Sequence, residues 1–302
     1  MNKSIIHSKS ITDLHKNMGL DAPSNPFISI IDTKILTYGK DAVGNRFSSD
    51  LYCVAMKDSN CGIDYGRNHY DFNNGVLIFT APNQIITLTK PQKLNEVEGW
   101  MLYFHPDLIR KHPLGKLIDK LSFFNYEVHE ALHLSKNEQQ TLNQILSLIS
   151  TEISERIDTH SQHVLSSHIE LILSYSKRFY DRQFITRSTS HLDIISKVEQ
   201  LLREYMNDVV FYSENTPTIK YLSDHCNLSP NYLSDLLSKE TGRSALDHIN
   251  DAIIEKAKSI LLTTDDSISG VAYSLGFNYP HYFSRLFKQK TGKSPTEYRQ
   301  LN

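Results

Sequence analysis

The sequence predicts an α+β protein of two domains. An N-terminal β-barrel or β-sandwich with two flanking helices precedes an all-α domain in which a long helix joins two helix-turn-helix units. Three observations carry this. Residues from about 25 to 104 are short β-rich runs broken by Gly, Asn and Pro. From Ser135 the apolar residues recur at helical spacing. In the last third, a segment repeats itself at an offset of 50 residues.

A length of 302 residues suits about two domains. The hydrophobic fraction of 39% and charged fraction of 22% exclude wholesale disorder. No apolar run reaches the ~20 residues that cross a bilayer, and the first residues lack the apolar stretch of a secretion signal. A cytoplasmic protein without membrane attachment is the expectation. Cys53, Cys61 and Cys226 are odd in number and lack a C-x-x-C pair, which suits reduced thiols. The formal charge of −2 argues against a nucleic-acid binder, whose domains tend to be basic.

In the first domain (1–181), strands are expected at 28–31, 35–38, 51–56, 76–80, 85–88 and 100–104. Asn73-Asn74-Gly75 supplies hairpin-turn chemistry before the fourth. Ser135 and Glu138 then fit a capping box. Leu142, Ile145, Leu146, Ile149 and Ile153 make one helical stripe, and Val164, Leu165, His168, Ile172, Tyr175 and Phe179 make a second. These stripes either pack on the β part or form a dimer surface; the pattern does not choose. Residues 182–190 have no period and are rich in Ser and Thr, which predicts a linker.

The second domain (191–302) holds the repeat. Residues 230–244 align with 280–294, sharing Pro230/Pro280, Tyr232/Tyr282, Ser234/Ser284, Leu236/Leu286, Thr241/Thr291, Gly242/Gly292 and Ser244/Ser294. Each copy reads as helix, tight turn, helix. Thr218, Ser229 and Ser267 are capping residues, Pro230 and Pro280 stand at first helical positions, and Thr-Gly stops each second helix. Between the copies, Ile249, Ile253, Ala257, Ile260 and Leu261 form the apolar face of a connecting helix over 247–262, about 24 Å long. With its flanking turns it could set two recognition helices about 34 Å apart, one turn of DNA.

These residues carry a resemblance. Residues 268–277 (ISGVAYSLGF), 282–288 (YFSRLFK), 291–295 (TGKSP) and Tyr298-Arg299 are similar, nearly throughout, to the signature of the AraC/XylS family of transcriptional regulators. The β-rich half resembles that family's cupin-like effector-binding domain at residues 75–82 and 100–106. The resemblance implies a promoter-binding regulator controlled by a small molecule. Its partners would be double-stranded DNA, a second copy of the chain as a homodimer and, for an activator, RNA polymerase.

Helical spacing turns His281, Ser284, Arg285 and Lys288 outward on the second recognition helix. Arg285 has the fork that pairs with guanine O6 and N7, and the resemblance puts His281 and Arg285 at base-reading positions. Lys288, Lys290 and Lys293 suit phosphates, and Asn278 in the turn joins the candidates. The first copy departs from this pattern: Asp235 stands in the column of Arg285 and Ser238 in that of Lys288, leaving Asn231, Ser234 and Lys239. Ile253 occupies a place where the family usually has arginine. Charge follows the same split: residues 192–275 carry seven Lys+Arg against thirteen Asp+Glu, a net of −6, and residues 276–302 five against one, a net of +4. The second unit should therefore carry most of the binding.

Tyr52, Tyr65, His69 and Trp100 are the candidate effector-pocket residues. No His-x-His pair with a later Glu suits a metal cupin, and no nucleophile elbow, P-loop or Rossmann glycine pattern appears. Neither metal, cofactor nor catalysis is expected. The competing readings are a small-molecule-binding or structural protein whose last helices engage protein, and a cupin enzyme with a helical regulatory tail.

Overall fold

The computed structural model describes residues 5–36, 45–57, 75–87, 99–207 and 216–300. They fall into two units, Met1–Arg187 and Ser188–Asn302.

The first unit opens with β1 (Ile5–Ser8) and α1 (Ile11–Met18). Ser10 caps α1 by accepting from the Asp13 amide, and Gly19 ends it in the left-handed region. The remaining strands are β2 (Ile28–Asp32), β3 (Arg46–Ser49), β4 (Tyr52–Lys57), β5 (Gly75–Thr80), β6 (Ile86–Thr87), β7 (Gly99–Phe104) and β8 (Leu132–Leu134). They form a five-stranded sheet, ordered β2-β7-β4-β5-β8, and a three-stranded sheet, β1-β3-β6. All pairs in the larger sheet are antiparallel. The described strands thus make two open sheets, and the closed cupin-like barrel expected from the sequence is not among them. Thr33–Ile35 is a 3-10 turn, so the strand expected at 35–38 does not begin there.

Both faces of the larger sheet are covered. Cys53, Ala55, Met101 and Ile31 pack with Ile11 and Leu14 of α1 and with Leu36 and Leu51. The other face carries Val54, Phe79, Leu102 and Phe104. There Phe79 meets Phe123 and Phe124 at ring-centroid distances of 4.4 and 5.5 Å.

Two short helices, α2 (Pro106–Ile109) and α3 (Leu114–Leu117), lead to the long pair α4 (Lys136–Ser154) and α5 (Ser161–Thr186). The Ser135–Glu138 capping box is formed. Leu142, Ile145 and Ile149 are buried on α4. On α5 the buried face includes Leu165, Ile169, Ile172, Leu173, Phe179 and Phe184, while Val164, His168 and Tyr175 are only half-buried at its edge. The pair packs together and on β2 and β8, so these stripes are spent on the sheet.

Residues 182–190 are not an aperiodic linker. Helix α5 runs through Thr186 and α6 (Ser188–Asn207) starts at once. Gln183, 1% exposed, accepts from the His133 amide at 2.8 Å and donates to the Ala131 carbonyl at 3.3 Å. Arg182 donates to the His133 carbonyl at 2.6 Å and pairs with Glu138 at 2.9 Å. These polar side chains close the free edge of β8 as a further strand would.

The second unit continues after α6 with α7 (Ile219–Cys226), α8 (Pro230–Thr241), α9 (Ala245–Thr263), α10 (Ile268–Ser274), α11 (Pro280–Thr291) and α12 (Pro295–Arg299). Its core gathers Leu222, Leu233, Leu236, Leu237, Ile249, Ile253, Ala257, Val271, Phe283 and Phe287. Ile253 is a core residue at 2% exposure.

Candidate nucleic-acid interface

Both helix-turn-helix copies are built on the same local devices. Thr218, Ser229 and Ser267 cap α7, α8 and α10 by accepting amides three residues on. The turn inside each copy needs a left-handed residue. Gly276 supplies it in the second with φ +82°, and Asn227 in the first with φ +55°. Asparagine tolerates that region better than other side chains do, so the turn chemistry is held without glycine. Gly242 and Gly292 end α8 and α11 with φ of +69° and +76°. Just before each, a threonine hydroxyl turns back: Thr241 donates to the Leu237 carbonyl at 2.7 Å, and Thr291 to the Phe287 carbonyl at 2.8 Å.

On α11, Phe283 and Phe287 are fully buried, while His281, Arg285 and Lys288 are exposed and Ser284 is half-buried. Asn278 is exposed in the turn, and Lys293 is exposed after the helix. Of the four side chains expected outward, three are thus exposed. The spacing missed the aromatic residues beside them: Tyr279 and Tyr282 are 59% and 49% exposed. The Tyr282 ring centroid lies 4.3 Å from that of His281 and 5.9 Å from that of Tyr279. The Arg285 guanidinium lies 5.5 Å from the Tyr282 ring centroid. Tyrosine spaced three residues before arginine was the available signal.

Lys290 is ion-paired. Its ammonium lies 3.0 Å from Asp247 and 2.9 Å from Asp251, both on α9. Arg243 also pairs with Asp251. Two carboxylates thus already balance the charge of this lysine within the domain. Hydrogen bonds from Ser244, and then from Lys290, hold the Asp247 carboxyl down to about 2.

In the first copy, Asn231 and Lys239 are exposed and Asp235 is half-buried. Ser234 donates its hydroxyl to the Pro230 carbonyl at 2.8 Å, a bond within its own helix. Tyr232, in the column of Tyr282, is buried at 3% exposure. At the column of Lys290 stands Glu240, whose carboxylate lies 2.8 Å from His191 Nδ1 on α6. One column therefore ties each second helix to the long helix preceding its unit, with opposite charge in the two copies.

The effector candidates fare differently. Tyr65 and His69 lie outside the described residues. Tyr52 stacks on Phe104 at 5.2 Å and meets Phe124 edge-on at 5.2 Å, and burial raises its phenol pKa. Trp100 is 6% exposed and donates its indole N–H to Asn143 of α4 at 2.9 Å. Tyr52 pairs across the ladder with Phe104, and Trp100 with Met56. The two share a face but stand four residues apart along it, roughly 13 Å. They do not converge. Burial pushes the Cys53 thiol up to about 12, which keeps it protonated.

No helix among the described residues is long and apolar enough to cross a membrane. Residues 222–301 match the family model of a helix-turn-helix domain. The chain is 22% identical over 272 residues to YfiF, an HTH-type transcriptional regulator of Bacillus subtilis, covering 86% of this chain and 82% of that protein. It is 38% identical over 96 residues to the arabinose operon regulatory protein of Escherichia coli, a match spanning 32% of each chain. Among solved structures, the C-terminal domain of AraT, a response regulator from Geobacillus stearothermophilus, is 30% identical over 36% of this chain and 85% of that one, with a TM-score of 0.31. Residues 222–301 thus form a helix-turn-helix domain, and the second unit is similar to the DNA-binding part of AraC-type transcriptional regulators.

Proposed function

We propose that this regulator binds a specific promoter chiefly through α11, and that a small-molecule effector acting on the first unit controls the binding. One observation carries the reading. The exposed face of α11 presents His281, Arg285 and Lys288, whereas the matching columns of α8 hold Asn231, Asp235 and Ser238. A guanidinium can read guanine in the major groove and a nearby ammonium can hold phosphate. A carboxylate in the same place repels phosphate and accepts only from cytosine N4. Asn278, Ser284 and Lys293 complete the second-unit contacts; Asn231, Ser234 and Lys239 contribute weaker ones from the first.

Control requires that the effector favour one arrangement of the chain over another. Only Arg187 separates α5, bonded to β8, from α6, the first helix of the DNA-binding unit. A shift of the sheet edge would therefore reach α5 directly. The protein would act as a cytoplasmic homodimer and, as an activator, would engage RNA polymerase. The test compares promoter binding by the full chain with that by residues 188–302, with and without a small-molecule extract of the host cells. The extract should change the affinity of the full chain and leave the fragment unaffected. An equal response from both contradicts the reading.

A further inference from the structure

Tyr232 and Tyr282 occupy the same column of the repeat, in the same turn of the same kind of helix, yet one is 3% exposed and the other 49%. A tyrosine left half in water gains little from burial, and its ring is open to a neighbouring side chain. The residue three positions on differs as well: Asp235 follows the buried ring, and Arg285 the exposed one. Residues three apart on a helix are neighbours. The 5.5 Å between the Arg285 guanidinium and the Tyr282 centroid lies within the roughly 6 Å of a cation–π contact.

We propose that Tyr282 is a positioning residue, whose ring holds the Arg285 guanidinium in the orientation that reads a guanine edge. This rests on the reading of α11 as the base-reading helix. Among the described residues, no carboxylate pairs with Arg285, so the ring is its support. The ring is itself braced by His281 at 4.3 Å and by Tyr279, edge-on, at 5.9 Å. A planar guanidinium stacks well on an aromatic face while keeping its N–H fork free at the rim. Ordering a long side chain before binding removes part of the entropy lost on binding. Lysine would not substitute, because its ammonium offers no plane to stack and no fork to present. The first copy, with its tyrosine in the core and an aspartate beyond it, lacks both parts of the device.

The test uses the full-length chain and a duplex that it selects from a random pool. Affinities are measured for every single base-pair substitution of that duplex, with wild type, Arg285→Ala, Tyr282→Ala, Tyr282→Phe and the Arg285→Ala/Tyr282→Ala double variant. Arg285→Ala should lose about tenfold or more in preference for guanine at one or two positions. Tyr282→Ala should lose about threefold at the same positions, with other positions and the salt slope unchanged. Tyr282→Phe should behave as wild type, and the double variant should show no more loss than Arg285→Ala alone. If Arg285→Ala alters the profile but Tyr282→Ala does not, the positioning role falls and the reading of α11 stands. If Arg285→Ala alters nothing, that reading falls as well. A uniform loss at all positions for Tyr282→Ala shows a structural role, and failure of Tyr282→Phe shows a hydroxyl contact; either overturns the proposal.

Discussion

Lys290 Nζ lies 3.0 Å from Asp247 Oδ1, binding the last turn of α11 to the first turn of α9. Asp251 completes the contact at 2.9 Å and also pairs with Arg243, just beyond α8. One small ionic network therefore links the ends of both recognition helices to the helix between them.

Lysines on one stretch should then separate by function. Lys290→Ala should lower stability by about 1 kcal/mol, since the partners are part-exposed and screened, and leave the salt dependence of DNA binding unchanged. Lys288→Ala and Lys293→Ala should each reduce the slope of log affinity against log salt by about 1. Thermal unfolding and binding across a salt series check both. A reduced slope for Lys290→Ala would return it to the phosphate contacts.

The same network sets an acid response. The Asp247 pKa is depressed to about 2, so its contribution is present above the ordinary carboxylate value and lost as pH falls through about 4 towards 2. Asp247→Asn should remove that part of the acid loss. His248 behaves differently. Burial, then the Arg243 charge, lowers its pKa, so the unfolded chain takes the proton first. Stability should be full above about 6.5 and decline below it. His248→Gln should flatten that decline; an unchanged profile between pH 7 and 5 would assign it to other groups.

Asp235→Arg puts a cation on the first recognition helix at the column of Arg285. It should tighten binding to many sequences and steepen the salt slope by about 1. Gel-shift titrations on selected and unrelated duplexes read this out. No change on the selected duplex would show that α8 does not approach the DNA.

Gln183→Ala leaves the His133 amide and the Ala131 carbonyl without this partner at the buried edge of β8. Each such group costs about 1–3 kcal/mol, so a loss in that range is expected in denaturant unfolding. A loss below about 0.5 kcal/mol, the scatter of surface substitutions, would mean that water replaces the amide.

The repeat made the second unit legible because its fixed points are local. Thr218, Ser229, Ser267, Gly242, Gly276 and Gly292 each act within a few residues, and Gly242 and Gly292 recur 50 residues apart. The first unit depends on distant pairings. Strands β3 and β8, four and three residues long, carry too few residues for period-two alternation to emerge. Helix α1 did leave a signal, Ser10 with Asp13 and then Gly19, but it is short. Gln183 and Arg182 misled for a physical reason: they are positioned by hydrogen bonds to β8, and apolar periodicity does not register polar residues that bury themselves this way. A charge count cannot see that Asp247 and Asp251 already face Lys290. Tyr282 escaped because its column mate Tyr232 is a core residue.

The central claim is that α11 reads bases and α8 contributes less. Guanine N7-methylation interference on the selected duplex tests it most directly. Strong interference should fall in one major-groove segment, vanish in Arg285→Ala, and be weak or absent about 34 Å away, one turn of DNA. Equal interference in two segments, or a strong segment untouched by Arg285→Ala, would contradict the account.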